Sequence, residues 1–199
     1  MALKKDGTPK QTKNNTKINR EDVQPFKEFD VPLIKQYFMD RINDSKNLDD
    51  ELTNRRNYTL FVMGVNIGLR CNELIALRWN DIYDNEWNFL DDKKFKYNDA
   101  FKQVIEEYRE YKKYSGEISN INSYIFRSRE NGHDHISVDT LGQIIKKAAK
   151  SKGIKYNVNT LSLRKTFVYQ QIHDNKMDLY TLQELVGKDL FINVLRYLN

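Results

Sequence analysis

The chain has 199 residues, 39% of them apolar and 12% aromatic, enough to bury a core, and a formal net charge of +5. It has no run of about 18 apolar residues, no apolar stretch behind its first lysines, and a single Cys71. The sequence therefore predicts no transmembrane helix, no secretory leader, no internal disulfide and no cysteine metal site, and places the chain in a reducing cytoplasm.

The charge is unevenly placed. Lys4, Lys5, Lys10, Lys13, Lys17 and Arg20 face only Asp6 in residues 1–20, which leaves residues 21–199 balanced. Residues 1–24 hold almost nothing apolar and read as a basic flexible arm, either a solubilising tail or a segment that contacts phosphates. Residues 25–199 read as one domain, mostly helical.

The first helix runs over 31–38 (VPLIKQYF), with Asp30 as its cap and Pro32 in the first turn. Residues 55–68 (RRNYTLFVMGVNIG) are nearly continuous apolar text and predict a central buried helix stopped by Gly68. Residues 71–77 (CNELIAL) start another. Trp79, Ile82, Tyr83, Trp87 and Phe89 read as short strands around polar turns. Over 98–114, Phe101, Val104, Ile105, Tyr108 and Tyr111 recur at helical spacing. Residues 124–126 (YIF) read as a buried strand. Helices follow over 137–152, 163–174 and 179–186, with a last short one over 191–198. The fold class is thus mainly α with a small antiparallel β-sheet.

Several chemistries have no footing. His133 and His135 flank Asp134 in a Gly/Asn turn without further ligands nearby, so a solvated loop is the reading, and His173 falls at a helix end. No phosphate-cradling glycine loop and no G-x-S-x-G elbow occur.

Two arginine-bearing segments and the C-terminal text stand apart. Gly68 to Ile82 reads G-L-R-x-x-E-L-x-x-L-x-W-x-D-I around Arg70, and Ser162 to Phe167 reads S-L-R-K-T-F around Arg164. Leu182 to Gly187 reads L-x-x-L-x-G, then comes Lys188, and Leu195-Arg196-Tyr197 follows. In this order they resemble the two arginine boxes and the nucleophile box of the tyrosine recombinases, the phage integrase family, across about residues 25–199.

That resemblance implies the recombinase catalytic-domain fold, without the separate N-terminal DNA-clamping domain of many members. It implies that Tyr197 attacks a phosphodiester of double-stranded DNA and forms a phosphotyrosyl link, which conserves the bond and calls for no cofactor or metal. Arg70 and Arg164 become the clamp on the phosphate oxygens, a role suited to planar guanidinium forks. Lys188 takes a catalytic place usually held by His or Trp, and Lys165 and Arg196 become further DNA contacts. The implied assembly is a homo-oligomer on DNA, with no membrane partner.

The chain also departs from the family's pattern. Leu161 occupies the place of the second box's histidine, and a leucine neither donates to a phosphate nor moves a proton. The hairpin that carries the acid-catalytic lysine looks shortened, with Lys93, Lys94 and Lys96 falling beyond the usual position. Only Leu198 and Asn199 follow Tyr197. Three readings stay open: an active recombinase; a catalytically impaired DNA-binding regulator or repressor of a phage or other mobile element; and an adaptor that has left DNA. The two DNA readings predict that Arg70, Arg78, Arg164, Lys165, Lys188 and Arg196 gather on one positive face.

Overall fold

A computed structural model describes residues 22–90, 98–118, 120–128, 134–174 and 176–197. Its helices are α1 (Asp30–Asn43), α2 (Leu48–Ile67), α3 (Cys71–Ile75), α4 (Asp99–Tyr114), α5 (Val138–Ser151), α6 (Thr160–His173), α7 (Leu179–Val186) and α8 (Lys188–Leu195). None of them is long and apolar enough to cross a membrane.

Helix α2 is the axis of the fold. Leu60, Phe61, Val62, Met63 and Val65 are all buried, because α1, α4 and α6 pack around it and leave no side for water. Continuous apolar text is what such an enclosed helix requires. The helix begins seven residues before the run that announces it. Asn47 caps it by accepting from the Asp50 N–H at 2.9 Å, and Asp49, Asp50 and Glu51 meet the positive end of its dipole. These opening turns are polar, so apolar periodicity misses them. Asn54, buried there, donates to the Arg41 carbonyl and to Ser45 Oγ, pinning the end of α1.

Helices α4 and α5 each turn one apolar face inward, and Asn98 and Ser137 cap them. Asp30 is not the cap of α1. It lies inside the first turn, where its carboxylate accepts from the Tyr156 hydroxyl and the Lys27 N–H. Burial, and then the bond to Asp30, raises the pKa of Tyr156.

The expected sheet shrinks among the described residues to two isolated antiparallel bridges, Arg78 with Tyr124 and Tyr83 with Phe89. Trp79, read as strand, instead opens a 3-10 turn over Trp79–Asp81. The aromatics that suggested strands are there for stacking: the Trp79 ring lies 6.0 Å from Trp87, 6.2 Å from Tyr83 and 6.4 Å from Tyr108. Burying each such ring stabilises by about 1.5–3 kcal/mol, enough to fix a loop without a ladder.

The core is divided. The main cluster runs from Phe26 through α1–α5 to Leu163 on α6. A second and smaller cluster joins Phe167 and Val168 of α6 to Leu182 and Val186 of α7 and Phe191 and Val194 of α8. Helix α6 alternates its allegiance between them, which is why seven of its residues in a row, Ser162 to Val168, are buried.

The domain begins earlier than Pro25. Val23 is fully buried, and the Gln24 N–H donates to the Asn157 carbonyl at 3.0 Å.

Candidate functional site

The two arginine segments meet because two glycines let α2 touch α6. A Cβ on Gly64 would stand 2.7 Å from Leu163 Cδ1, and one on Gly68 would stand 2.3 Å from Phe167 Cδ1. Both pairs are four residues apart, so they form one edge of contact. Gly68 also ends α2 with φ +65°, a left-handed turn that a side chain resists. The chain leaves that turn toward Arg70 while α6 carries Arg164 directly after Leu163.

Arg70 stands at the entrance of α3. Its N–H donates to Glu73 Oε2 at 2.8 Å and its guanidinium Nη1 to Glu73 Oε1 at 3.2 Å. Its side chain nevertheless stays 67% exposed. Arg164 is the opposite case, 8% exposed. One nitrogen, Nη2, donates to the Val186 carbonyl at 3.2 Å, and buried Nε has no acceptor among the described residues. A buried donor left without an acceptor costs about 1–3 kcal/mol, and an anion would relieve it.

The two cations share one field. Burial lowers the pKa of Arg164 first, and the charge of Arg70 lowers it further, while Glu73 opposes both. Burial pushes the Glu73 carboxyl up, but the Arg70 N–H and guanidinium and the Arg164 charge together carry it below its ordinary value. A guanidinium keeps its proton under such pressure, so the pair remains a double positive charge, with the Glu73 carboxylate beside it among the described residues.

Tyr197 follows α8, its N–H bonded to the Val194 carbonyl at 2.9 Å. Its hydroxyl donates to the Val23 carbonyl at 3.4 Å. Lys165 Nζ donates to that same carbonyl and lies 5.4 Å from the Tyr197 ring centre. Lys165 is only 1% exposed, so it faces the N-terminal segment and not an open surface. Arg78 is also diverted: it donates to the Asn122 carbonyl and its guanidinium covers the Tyr124 ring at 3.7 Å. Lys188, the first residue of α8, and Arg196, just beyond its end, are exposed. The structure thus unites Arg70 with Arg164 and Tyr197 with Lys165.

Leu161 is half-buried in the first turn of α6, where its N–H donates to the capping Asn159 at 2.8 Å. Lys93, Lys94, Lys96 and His133 lie outside the described residues. His135 has its ring against Tyr124, and His173 pairs with Asp174. No group of three metal-ligating side chains occurs among the described residues. Sequence reasoning gave Glu73 no role, although a Glu three residues after a helix-entry position is a known capping signal. The Val23 carbonyl has no sequence signal at all.

A model of the phage integrase family matches residues 37–198. The chain belongs to that family. A search of curated proteins found no match. Among solved structures, the XerH site-specific recombinase bound to difH substrate, in a pre-cleavage complex, is similar at a TM-score of 0.60 and 17% identity, covering 88% of this chain and 50% of that one. The XerH post-cleavage complex with palindromic difH gives 0.62 and 16%, covering 92% and 52%. The XerA recombinase gives 0.60 and 18%, covering 88% and 58%. The integrase-family chain described here therefore spans between half and three-fifths of the length of these relatives in fold.

Proposed function

We propose that this protein binds double-stranded DNA by holding one backbone phosphate between Arg70 and Arg164, and cleaves and rejoins the strand through Tyr197. The observation that carries this reading is the convergence of a buried and an exposed arginine in one electrostatic field, the buried one with an unmatched N–H. Two guanidinium groups around a phosphate stabilise the charge that builds on its oxygens as the phosphorane forms. The Tyr197 oxygen bonds to phosphorus as the bond to the 5′ oxygen breaks. The tyrosine gives up its proton and the departing 5′ oxygen takes one. Reversal of these steps rejoins the strand without a cofactor.

Lys188 supplies an N–H and a positive charge where the family places His or Trp. Leu161 supplies neither, so one donor of the usual set is missing. General acid–base groups contribute about 10²–10⁴-fold each, and the expected enzyme is correspondingly slow. Leu161 also supports the second reading, a recombinase-fold regulator or repressor of a mobile element that keeps the phosphate grip without the chemistry. Under either reading the protein acts as a homo-oligomer on paired half-sites.

Nicked suicide duplexes spanning the DNA that flanks the protein's own coding sequence test both. A covalent protein–DNA adduct that vanishes in Tyr197→Phe establishes the recombinase. Salt-sensitive, sequence-specific binding without adduct establishes the regulator. Binding indifferent to salt refutes a phosphate grip altogether.

A further inference from the structure

We infer that Lys165 is a positioning residue for Tyr197, and that with the Val23 carbonyl it forms a latch through which the N-terminal segment governs the tyrosine. This rests on Tyr197 being the nucleophile. Successive residues of a helix point about 100° apart. Arg164 turns toward Val186 and Arg70, whereas Lys165 turns toward residues 22–26. The Tyr197 hydroxyl sits on the Lys165 side. A backbone carbonyl accepts its hydrogen bond but cannot take its proton, so the seat orders the phenol without activating it.

The latch is built to peel. Phe26 anchors the segment, its N–H donating to Thr166 Oγ1 at 2.8 Å while Thr166 donates to the Ser162 carbonyl. Toward the N-terminus, the Val23 side chain and the Gln24–Asn157 bond hold residues 22–24 beside the two bonds to the Val23 carbonyl. Residues 1–20, with six bases and one acid, lead straight into that end. DNA drawn to those bases pulls on the Val23 carbonyl first. Once it leaves, the hydroxyl and the buried ammonium lose their common acceptor, and the tyrosine can turn toward the phosphate.

Two readouts on the full-length chain, neither needing cleavage, test the latch: hydrogen exchange at the Gln24 and Phe26 amides, and the fluorine NMR resonance of a fluorotyrosine placed at position 197. Lys165→Met, which keeps the shape and removes the charge, is expected to speed Gln24 exchange by about ten-fold or more, leave Phe26 protected and shift the Tyr197 resonance. Excess duplex DNA added to the unaltered chain is expected to move the resonance in the same direction. Should Lys165→Met not fold, Tyr197→Phe and the duplex titration decide, since deleting one hydroxyl should still speed Gln24 exchange several-fold. Unchanged exchange and an unmoved resonance overturn the latch. So does faster Gln24 exchange with the resonance fixed, which means a loosened segment that does not control the tyrosine. A suicide-substrate adduct from a chain that shows no latch refutes the latch alone, whereas an intact latch with no adduct refutes the recombinase reading alone.

Discussion

Replacing Gly68 by alanine tests the contact that brings the arginines together. The residue has φ +65°, and its new Cβ would lie 2.3 Å from Phe167 Cδ1 and 2.5 Å from Cε1. A left-handed alanine costs about 1–2 kcal/mol. Forcing the Phe167 ring aside, in a well-packed junction, costs about 1–3 kcal/mol more. The sum, about 2–5 kcal/mol, lowers the melting temperature by roughly 4–20 °C in a protein of this size. Urea unfolding of Gly68→Ala, Phe167→Ala and the double variant closes a cycle. Removing the ring should recover about 1–3 kcal/mol of the alanine's cost, because the two residues collide directly. A Gly68→Ala variant within about 0.5 kcal/mol of the parent, or strict additivity in the cycle, would refute the close approach of α2 and α6.

Arg164→Ala should weaken duplex binding by more than ten-fold and reduce the slope of log affinity against log salt by about 0.9, the signature of one lost phosphate contact, measured by fluorescence anisotropy. Arg164→Lys should recover little, since an ammonium cannot reproduce the planar fork that also meets the Val186 carbonyl. Leu161→His should raise the rate of adduct formation on nicked duplex by about 10²-fold or more if the missing donor limits catalysis; an unchanged rate would mean that something else does. Burial, and then the bond to Asp30, raises the pKa of Tyr156, so its seated, protonated phenol contributes stability that is intact below about pH 10, the ordinary tyrosine value, and is lost as pH rises through the higher folded value. Ultraviolet titration of the parent minus Tyr156→Phe should accordingly show a phenol still protonated well above pH 10.

What the sequence made legible followed from local rules. Side-chain periodicity located α4 and α5, because amphipathic text is a property of neighbours in the chain. The order of the arginine and tyrosine segments revealed the family. The missed items depended on distant partners. The polar start of α2 is stabilised by Asn54 reaching α1, and the supposed strands are turns held by stacked rings from α4 and beyond. The resemblance makes Lys165 a DNA contact, yet one step along the helix from Arg164 turns it into the interior. Nothing local marks the Val23 carbonyl as its acceptor.

The divided core is joined through α6, so its two parts do not fail separately. The α2–α6 seam straddles both clusters: Leu163, opposite Gly64, belongs to the larger, and Phe167, opposite Gly68, to the smaller, whose Val186 also offers its carbonyl to Arg164. Damage in the small cluster therefore reaches the support of Arg164 as well as the helix that leads to Tyr197. In a fold arranged this way neither half of the architecture is expendable to the other, and the arginine segments and the C-terminal tyrosine share one helix as their common support.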